Sequence, residues 1–414
     1  MTVIAPIYVG KEAIAALLAY CQEHNLKDLV LVADRNTYAA LGERVERALR
    51  EQGYTPTTIL LEGEEVVADE ATCINVLVRA PARPQTYLAV GSGTITDIVR
   101  FVSHRSRNPF LSLPTAPSVD GYTSNGAPLV LGGVKITVDA QPPQAIFADL
   151  PTLQAAPELL IAAGFGDLLG KTTSVADWRL GALLWGEDYD ETIAARTERA
   201  YRECLRHVEA IRRRDEAGIR ALIEGLIESG LCILDFGRSH PASGSEHHAS
   251  HYWEMTLLQQ GRPAILHGAK VGVASRHIAG YYARLRSIPR QEAFARIERA
   301  SRPDPEAELA AIREAYGPLA ETIIRGHGDF LQMSEAAFAD LKQRVIERWD
   351  AVQEIAAQVL PPDEIARLLS AVGGPVSGQQ LGLPEDEVQR GLAYGHYLRS
   401  RFTITKMFHL FGLG

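Results

Sequence analysis

The sequence predicts an α/β N-terminal domain, built on a parallel sheet, followed by an all-helical C-terminal domain. Short apolar runs alternate with helical patterns through the first 150 residues, and helical patterns dominate from about residue 157 onward. Strands that alternate with helices over short connections form parallel sheets covered by helices. We therefore expect a sheet domain over residues 1–155 and a helical domain over residues 156–414.

Apolar runs of strand length define the sheet of the first domain. Residues 28–33 are largely apolar and lead into Asp34, as buried parallel strands commonly do. Further strands are predicted at 57–61, 87–90 and 145–150, with helices at 11–24, 38–50, 70–79 and 95–103. From Leu111 onward, repeated prolines and glycines predict a long ordered loop, followed by a hairpin over 129–139 that turns at Gly132 and Gly133.

The second domain is predicted from apolar residues that recur at helical spacing. The predicted helices cover residues 176–184, 191–213, 216–229, 291–299, 306–315, 335–359 and 386–395.

Composition indicates an ordinary globular protein of 414 residues, with 46% hydrophobic and 22% charged residues. The net charge of −9 offers no basic surface for nucleic acid. No uncharged apolar run reaches the length of a membrane span, and the N-terminus does not resemble a secretory signal. Four scattered cysteines suggest reduced, partly buried thiols, so we expect a cytoplasmic protein.

A histidine-rich stretch is the strongest chemical signal in the chain. Six of the 12 histidines lie between positions 240 and 277. On a helix, His247 and His251 share one face, and His267 follows on a separate segment. Two imidazoles from separate segments and one carboxylate would hold a divalent cation with an open position for substrate. The alternative is a set of solvent-facing helix histidines.

A glycine-containing turn links a predicted strand to a predicted helix. Gly91, Ser92, Gly93, Thr94 and Ile95 follow the strand at 87–90, and such a turn lets backbone N–H groups approach a phosphate. The pattern lacks the lysine of a Walker A loop and the third glycine of GxGxxG. Asp34 could bind a ribose diol or simply cap a helix. Together these features favour a bound dinucleotide over a plain turn.

Two further segments contain candidate polar residues. The proline-bordered loop contains Thr115, Ala116, Pro117, Ser118, Asp120 and Ser124, whose polar groups suit a cofactor and a substrate hydroxyl, or a purely structural loop. Asp167 lies among glycine and apolar residues, as a helix cap or as a metal ligand. Lys171, four residues later, could place an ammonium group beside an anionic substrate.

In order and approximate spacing, these segments resemble the sn-glycerol-1-phosphate dehydrogenase family, and most closely its bacterial form. That family belongs to a larger group with the iron-type alcohol dehydrogenases, glycerol dehydrogenase and dehydroquinate synthase. The resemblance covers roughly residues 25–280. It implies a dehydroquinate synthase-like fold, with an N-terminal Rossmann-like NAD(P)-binding domain and a helical domain that binds metal and substrate.

The resemblance also implies roles for individual residues. Asp167, His247 and His267 match the metal ligands, while His251 and Asp120 match residues that contact substrate. The segments that match NAD(P) contacts contain Gly91, Ser92, Gly93, Thr94, Ile95, Thr115, Ala116, Pro117, Ser118 and Ser124. The family uses zinc, and bacterial members resembling this chain are associated with nickel.

The implied reaction is reversible reduction of dihydroxyacetone phosphate to sn-glycerol 1-phosphate, a step of phospholipid backbone synthesis. Lys171 stands where four-ligand iron alcohol dehydrogenases have a histidine, and Asp167 stands where dehydroquinate synthase has a glutamate. These two departures argue against both of those enzymes. The main alternative is a glycerol dehydrogenase acting on an unphosphorylated polyol; a nucleotide-binding or metal-storage module is the non-enzymatic one. The negative charge of Asp34 disfavours the 2′-phosphate of NADPH, and the positive charge of the neighbouring Arg35 could offset that effect. A homodimer is the default assembly.

Overall fold

The computed structural model describes residues 3–63, 65–132 and 134–413. Within these residues, six parallel strands form one sheet in the order β1-β8-β5-β4-β2-β3, and two antiparallel strands form a hairpin. The strands are β1 (Ile7–Gly10), β2 (Leu29–Asp34), β3 (Thr57–Leu61), β4 (Thr86–Gly91), β5 (Phe110–Pro114), β6 (Gly126–Leu131), β7 (Val134–Asp139) and β8 (Ala145–Asp149).

Helices account for most of the remaining regular structure. In chain order they are α1 (Ala13–Glu23), α2 (Arg35–Thr37), α3 (Glu43–Glu51), α4 (Glu70–Arg79), α5 (Gly93–Arg105), α6 (Leu150–Gln154), α7 (Glu158–Leu169), α8 (Lys171–Trp185), α9 (Glu191–Arg206), α10 (Val208–Arg212), α11 (Glu216–Phe236), α12 (Ser245–Gln259), α13 (His267–Ser287), α14 (Arg290–Arg299), α15 (Pro305–Tyr316), α16 (Ala320–Gly326), α17 (Gly328–Leu331), α18 (Glu335–Glu347), α19 (Trp349–Ala357), α20 (Pro362–Ala371), α21 (Glu385–Tyr394) and α22 (Ile404–Phe411).

The chain divides into two compact units. The first unit contains Met1–Leu168 and Arg202–Gly237, and the second contains Leu169–Tyr201 and Arg238–Gly414. All eight described strands belong to the first unit, whereas the regular structure described in the second unit is entirely helical. This confirms the predicted fold class of a Rossmann-like parallel sheet and an all-helical region. The functional division into residues 1–155 and 156–414 stays a prediction.

Hydrophobic residues on both faces of the sheet explain its parallel form. In β2, Leu31 and Ala33 belong to the apolar cluster that includes residues of α1 and α3, whereas Val30 and Val32 belong to the cluster that includes residues of α4 and α5. Successive side chains of a strand point to opposite faces, so a strand covered on both sides must be apolar throughout. Because the six strands are parallel, their carboxyl ends lie at the same edge of the sheet.

Several element bounds differ from the sequence prediction. The helix predicted over residues 38–50 is observed as a π-helical turn (Tyr38–Gly42) followed by α3. The helix predicted over residues 191–213 is observed as two helices, α9 and α10. Likewise, 335–359 is interrupted between α18 and α19. The predicted long loop begins only after Pro114, because residues 110–114 form β5 between β4 and β8. The hairpin is confirmed by β6 and β7, although Gly133 of its predicted turn lies outside the described residues.

Two further expectations bear on the class of protein. No helix in the described part of the chain combines the length and the apolar character needed to cross a membrane. All four cysteines are buried.

Candidate active site

In the first unit, the glycine turn and the proline-bordered loop lie next to each other. Gly91, the last residue of β4, pairs in register with Pro114, the last residue of β5. The N–H of Thr115 donates to the Gly91 carbonyl at 3.2 Å. Because α5 begins at Gly93, the N–H groups of its first turn are beside the start of the loop. This is the strand-to-helix geometry that binds a dinucleotide phosphate in Rossmann-like domains.

A buried arginine fixes the far end of the same loop. Arg100, in α5, pairs with Asp97 at 2.6 Å and donates to the carbonyls of Gly121, Tyr122 and Gly126. Burial raises the pKa of Asp97 to about 6, and the charge of Arg100 opposes that rise. A buried guanidinium requires such partners, because an unpaired buried charge costs several kcal/mol. The glycine turn and the loop are therefore connected through one helix.

Helix α7 approaches the loop closely at Gly164. A Cβ atom at this position would lie 1.8 Å from the carbonyl oxygen of Pro117, which is far inside van der Waals contact. Only glycine allows α7 and the loop to pack at this distance. Glycine at position 164 thus has a structural reason that is independent of any ligand.

Asp167, in the last turn of α7, contacts the loop at Asp120. The backbone N–H of Asp120 donates to Oδ2 of Asp167 at 3.1 Å, and the Oγ of Ser229 in α11 donates to Oδ2 of Asp120 at 2.9 Å. All three residues are buried. The alternative that Asp167 caps a helix start is wrong, because the residue lies at the C-terminal end of its helix.

Two of the predicted cofactor-binding residues also have local structural roles. Asp34 caps α2: its Oδ1 accepts the N–H of Thr37 at 2.8 Å, which confirms the capping alternative. The Oγ of Ser124 accepts the N–H of Gly126 at 2.9 Å, at the start of β6. These bonds leave the cofactor roles of Asp34 and Ser124 as predictions.

In the second unit, three of the predicted histidines come together. His247 and His251 lie on α12, and His267 is the first residue of α13, which packs against α12. The ring centroids are 5.2 Å apart for His247 and His267, 5.4 Å for His251 and His267, and 6.1 Å for His247 and His251. His247 is buried, so the alternative of a solvent-facing histidine is wrong at this position.

Glu254 extends this histidine cluster. His251, Glu254 and His267 each offer one ligand atom, and these atoms lie within 4.8 Å of one another. The Oε2 of Glu254 lies 3.4 Å from Nδ1 of His251, and its Oε1 lies 3.4 Å from the buried Nζ of Lys270. The cluster therefore contains both imidazole and carboxylate groups, the ligand types that first-row metals prefer in proteins.

Buried groups of α8 hold the N-terminus of α12 in place. Asp177 accepts the N–H of Ser245 and the N–H of Ile404, both at 2.7 Å, and the hydroxyl of Tyr282 at 2.7 Å. Burial, with the nearby charge of Glu246, raises the pKa of Asp177 to about 6. A Cβ at Gly244 would lie 2.8 Å from the Asp177 carboxylate, so glycine is required there too. The first turn of α12 is thus rigidly positioned.

Lys171 is the first residue of α8 and is completely buried. Its Nζ donates to the carbonyl oxygen of Ala242 at 3.0 Å, in the segment that leads into α12. This contact gives Lys171 a structural role, and its predicted role in binding the substrate phosphate stays a prediction.

Sequence reasoning did not select four buried residues of these two regions: Arg100, Ser229, Asp177 and Glu246. The spacing of Asp97 and Arg100, three residues apart on a helix, was a usable signal for their ion pair. Glu246 stood directly beside a candidate ligand. Ser229 and Asp177 gave no local signal, because their partners are more than 60 residues away in the chain.

Comparisons with known proteins agree with the resemblance seen in the sequence. Residues 8–157 match the family model described as iron-containing alcohol dehydrogenase. The glycerol-1-phosphate dehydrogenase [NAD(P)+] of Bacillus subtilis (strain 168) is 38% identical over 403 residues, which cover 97% of this chain and 90% of that protein. The protein of the same name from Geobacillus thermodenitrificans (strain NG80-2) is 37% identical over 405 residues, covering 97% and 91%.

A solved structure shows that the fold is shared more widely. The glycerol dehydrogenase of Schizosaccharomyces pombe superposes with a TM-score of 0.54 at 17% identity, covering 96% of this chain and 93% of that one. A sequence identity of 17% supports a shared fold and no further conclusion. The near-complete matches at 37–38% identity show more than the fold, and the chain belongs to the glycerol-1-phosphate dehydrogenase family.

Proposed function

We propose that this chain is an oxidoreductase that reversibly reduces dihydroxyacetone phosphate to sn-glycerol 1-phosphate with NADH or NADPH. The family membership supports the reaction. The most direct structural support is the meeting of His247, His251 and His267 on α12 and α13, because the family's metal ligands and a substrate contact match these positions. We propose that the protein acts in the cytoplasm as a homodimer.

The cofactor is proposed to bind at the carboxyl edge of the sheet. The N–H groups at the start of α5 would receive the pyrophosphate, with Thr115 and Ser118 of the adjacent loop as further hydrogen-bonding groups. Asp34 lies at the end of β2, the strand next to β4, where a ribose-binding carboxylate is expected. Its carboxylate already caps α2, so its orientation is fixed before any cofactor binds.

The metal is proposed to be held by Asp167, His247 and His267. One carboxylate oxygen and two imidazole nitrogens would form a ligand set that suits zinc or nickel. The Nδ1 of His247 is bonded to Glu246, which leaves Nε2 as the ligand atom. When bound, such a cation would act as a Lewis acid toward the substrate ketone.

The remaining polar groups are proposed to orient the substrate. Asp120, held by Ser229, would accept a hydrogen bond from a substrate hydroxyl. His251 is half-buried and would bind a second hydroxyl or pass on a proton. Lys171 is the candidate for the substrate phosphate. Because Lys171 also donates to the carbonyl oxygen of Ala242, a test of this assignment must distinguish substrate binding from a purely structural role.

A spectrophotometric assay tests the reaction. Oxidation of NADH and of NADPH is followed with dihydroxyacetone phosphate and, in parallel, with unphosphorylated dihydroxyacetone, in the presence of zinc, nickel or a chelator. We expect turnover with the phosphorylated substrate and loss of turnover with the chelator. Equal or better use of the unphosphorylated substrate would favour a glycerol dehydrogenase instead.

Two variants test the residue assignments. His267→Ala should lose both bound metal and turnover, and a metal-free variant with full activity would rule out the proposed site. Lys171→Met should raise the KM for dihydroxyacetone phosphate far more than that for dihydroxyacetone. An equal change for both substrates, together with a lower melting temperature, would leave Lys171 with its structural role only. Sedimentation of the purified protein tests the dimer.

A further inference from the structure

Glu246 is completely buried, and both of its carboxylate oxygens have hydrogen-bond partners. Oε1 accepts the N–H of Gly244 at 2.7 Å and lies 2.8 Å from Nδ1 of His247, and Oε2 accepts the hydroxyl of Thr173 at 2.7 Å. Glu246 is therefore held at both oxygens of its carboxyl group.

This contact fixes the protonation pattern of the His247 ring. The backbone N–H of Gly244 can only donate, so Oε1 of Glu246 is an acceptor, and the proton shared with His247 lies on Nδ1. The lone pair of the neutral ring is then on Nε2. The ring is also held in one orientation, because Glu246 is anchored by α8 through Thr173 and by the segment before α12 through Gly244.

We propose that Glu246 is a positioning residue that sets the metal affinity of the site, by holding His247 in the orientation and tautomer that present Nε2 as a ligand. The inference rests on the proposed function, because it assumes that His247 binds metal. A carboxylate bonded to the second nitrogen of a ligand histidine fixes the ring and makes it a stronger donor. Loss of such a partner typically weakens metal binding about 10–100-fold.

The competing explanation is that Glu246 only stabilises the start of α12. That task is already performed by Asp177, whose carboxylate accepts the N–H of Ser245. Glu246 differs from Asp177 in its contact with a histidine ring. A structural role would change the stability of the fold, whereas a positioning role would change metal affinity in a chain that remains folded.

The experiment measures zinc affinity of the full-length apoprotein by competition with a chromophoric chelator, together with the melting temperature of each apoprotein. Glu246→Gln keeps an acceptor for His247 and should weaken zinc binding about tenfold. Glu246→Ala removes the acceptor and should weaken it about 100-fold. Thr173→Val removes one support of Glu246 and should weaken binding slightly. Ser174→Ala is the matched control, because Ser174 is a buried neighbour on α8 that donates to Pro241 and not to Glu246.

The outcomes separate this inference from the proposed function. Wild-type protein that binds neither zinc nor nickel would overturn the metal site and this inference with it. Wild-type binding with unchanged affinity in Glu246→Gln and Thr173→Val would overturn the positioning role alone. Should Glu246→Ala fail to fold, those two milder variants and the Ser174→Ala control still decide the matter.

Discussion

The backbone N–H of Asp120 donates to the carboxylate of Asp167, a hydrogen bond of 3.1 Å between the proline-bordered loop and the last turn of α7. The residue proposed to contact substrate therefore also supports the residue proposed to bind metal. The two tasks use different parts of Asp120: the side chain faces Ser229, and the main chain faces Asp167. Substitution of the Asp120 side chain should separate them.

Asp120→Asn should retain metal and lose substrate affinity. The variant keeps the backbone N–H that supports Asp167 but removes the negative charge proposed to bind a substrate hydroxyl. A hydrogen bond to a charged group contributes about 1.5–3 kcal/mol, so the KM for dihydroxyacetone phosphate should rise about tenfold or more. Metal content is measured by elemental analysis alongside the kinetics. Loss of the metal would contradict the separation of the two tasks.

Ser229→Ala should reduce kcat/KM about tenfold with little effect on folding. The change removes the hydroxyl that donates to Oδ2 of Asp120 and leaves that buried carboxylate with one fewer partner. Ser103→Ala is a matched control, since Ser103 is equally buried in the same unit. Its hydroxyl donates to the backbone carbonyl of Arg100 and accepts from the side-chain amide of Gln141, and neither bond involves Asp120. Equal activity losses in both variants would indicate a general packing effect.

Gly164→Ala should weaken NAD(P) binding and destabilise the fold. The added methyl group would lie 1.8 Å from the Pro117 carbonyl oxygen, so the loop or α7 must move. Overpacking of this kind typically costs about 1–3 kcal/mol in the free energy of unfolding. Cofactor affinity follows from NADH fluorescence, and stability from urea unfolding. Gly121→Ala in the same loop, where a Cβ meets no atom within 4 Å, should behave like the wild type.

Lys406→Met should remove a pH-dependent part of the stability. Burial lowers the pKa of Lys406 to about 7, and its Nζ lies 2.8 Å from Nε2 of His327. Between pH 7 and about 10.4, the unfolded chain binds a proton at this lysine that the folded chain has lost, so stability rises with pH across that window. The methionine variant cannot show this contribution.

Urea unfolding at pH 7 and pH 9.5 checks the prediction. The gain in unfolding free energy between the two pH values should be smaller in Lys406→Met than in the wild type. Lys342→Met, at a half-buried position in the same unit where Nζ donates to the backbone carbonyl of Glu298, should keep the full gain. An identical gain in the Lys406 variant would mean that the buried amine does not change its charge in this range.

Local patterns predicted the elements of the sheet better than the partners of individual side chains. The bounds of β3 and α4 were predicted as observed, since each segment is short, periodic and bordered by turn residues. Strand β5 was missed because Pro114, which ends it, reads as a loop signal. Periodicity also cannot tell which surface a helix covers. The amphipathic pattern of α11 therefore gave no sign that the helix belongs with the sheet in the first unit.

His247 and His251 were predicted together because spacing on a helix fixes which residues share a face, whereas His267, on a separate segment, was grouped with them through the family resemblance. The role of Glu246 was not predicted, although it lies beside His247, because sequence does not show where a carboxylate points. Long-range partners such as Ser229 and Asp120 are 109 residues apart and share no local pattern. Only the folded chain reveals them.

The interleaving of the two units has a consequence for how the protein is made. During synthesis, all strands of the sheet have left the ribosome long before α11 emerges, yet Ser229 on that helix supplies the hydroxyl bonded to Asp120. A nascent chain that ends at residue 168 contains every described strand of the sheet but lacks that bond. The unit that contains the sheet is complete only after residue 237 has been translated, by which time residues 169–201 of the other unit have already been made.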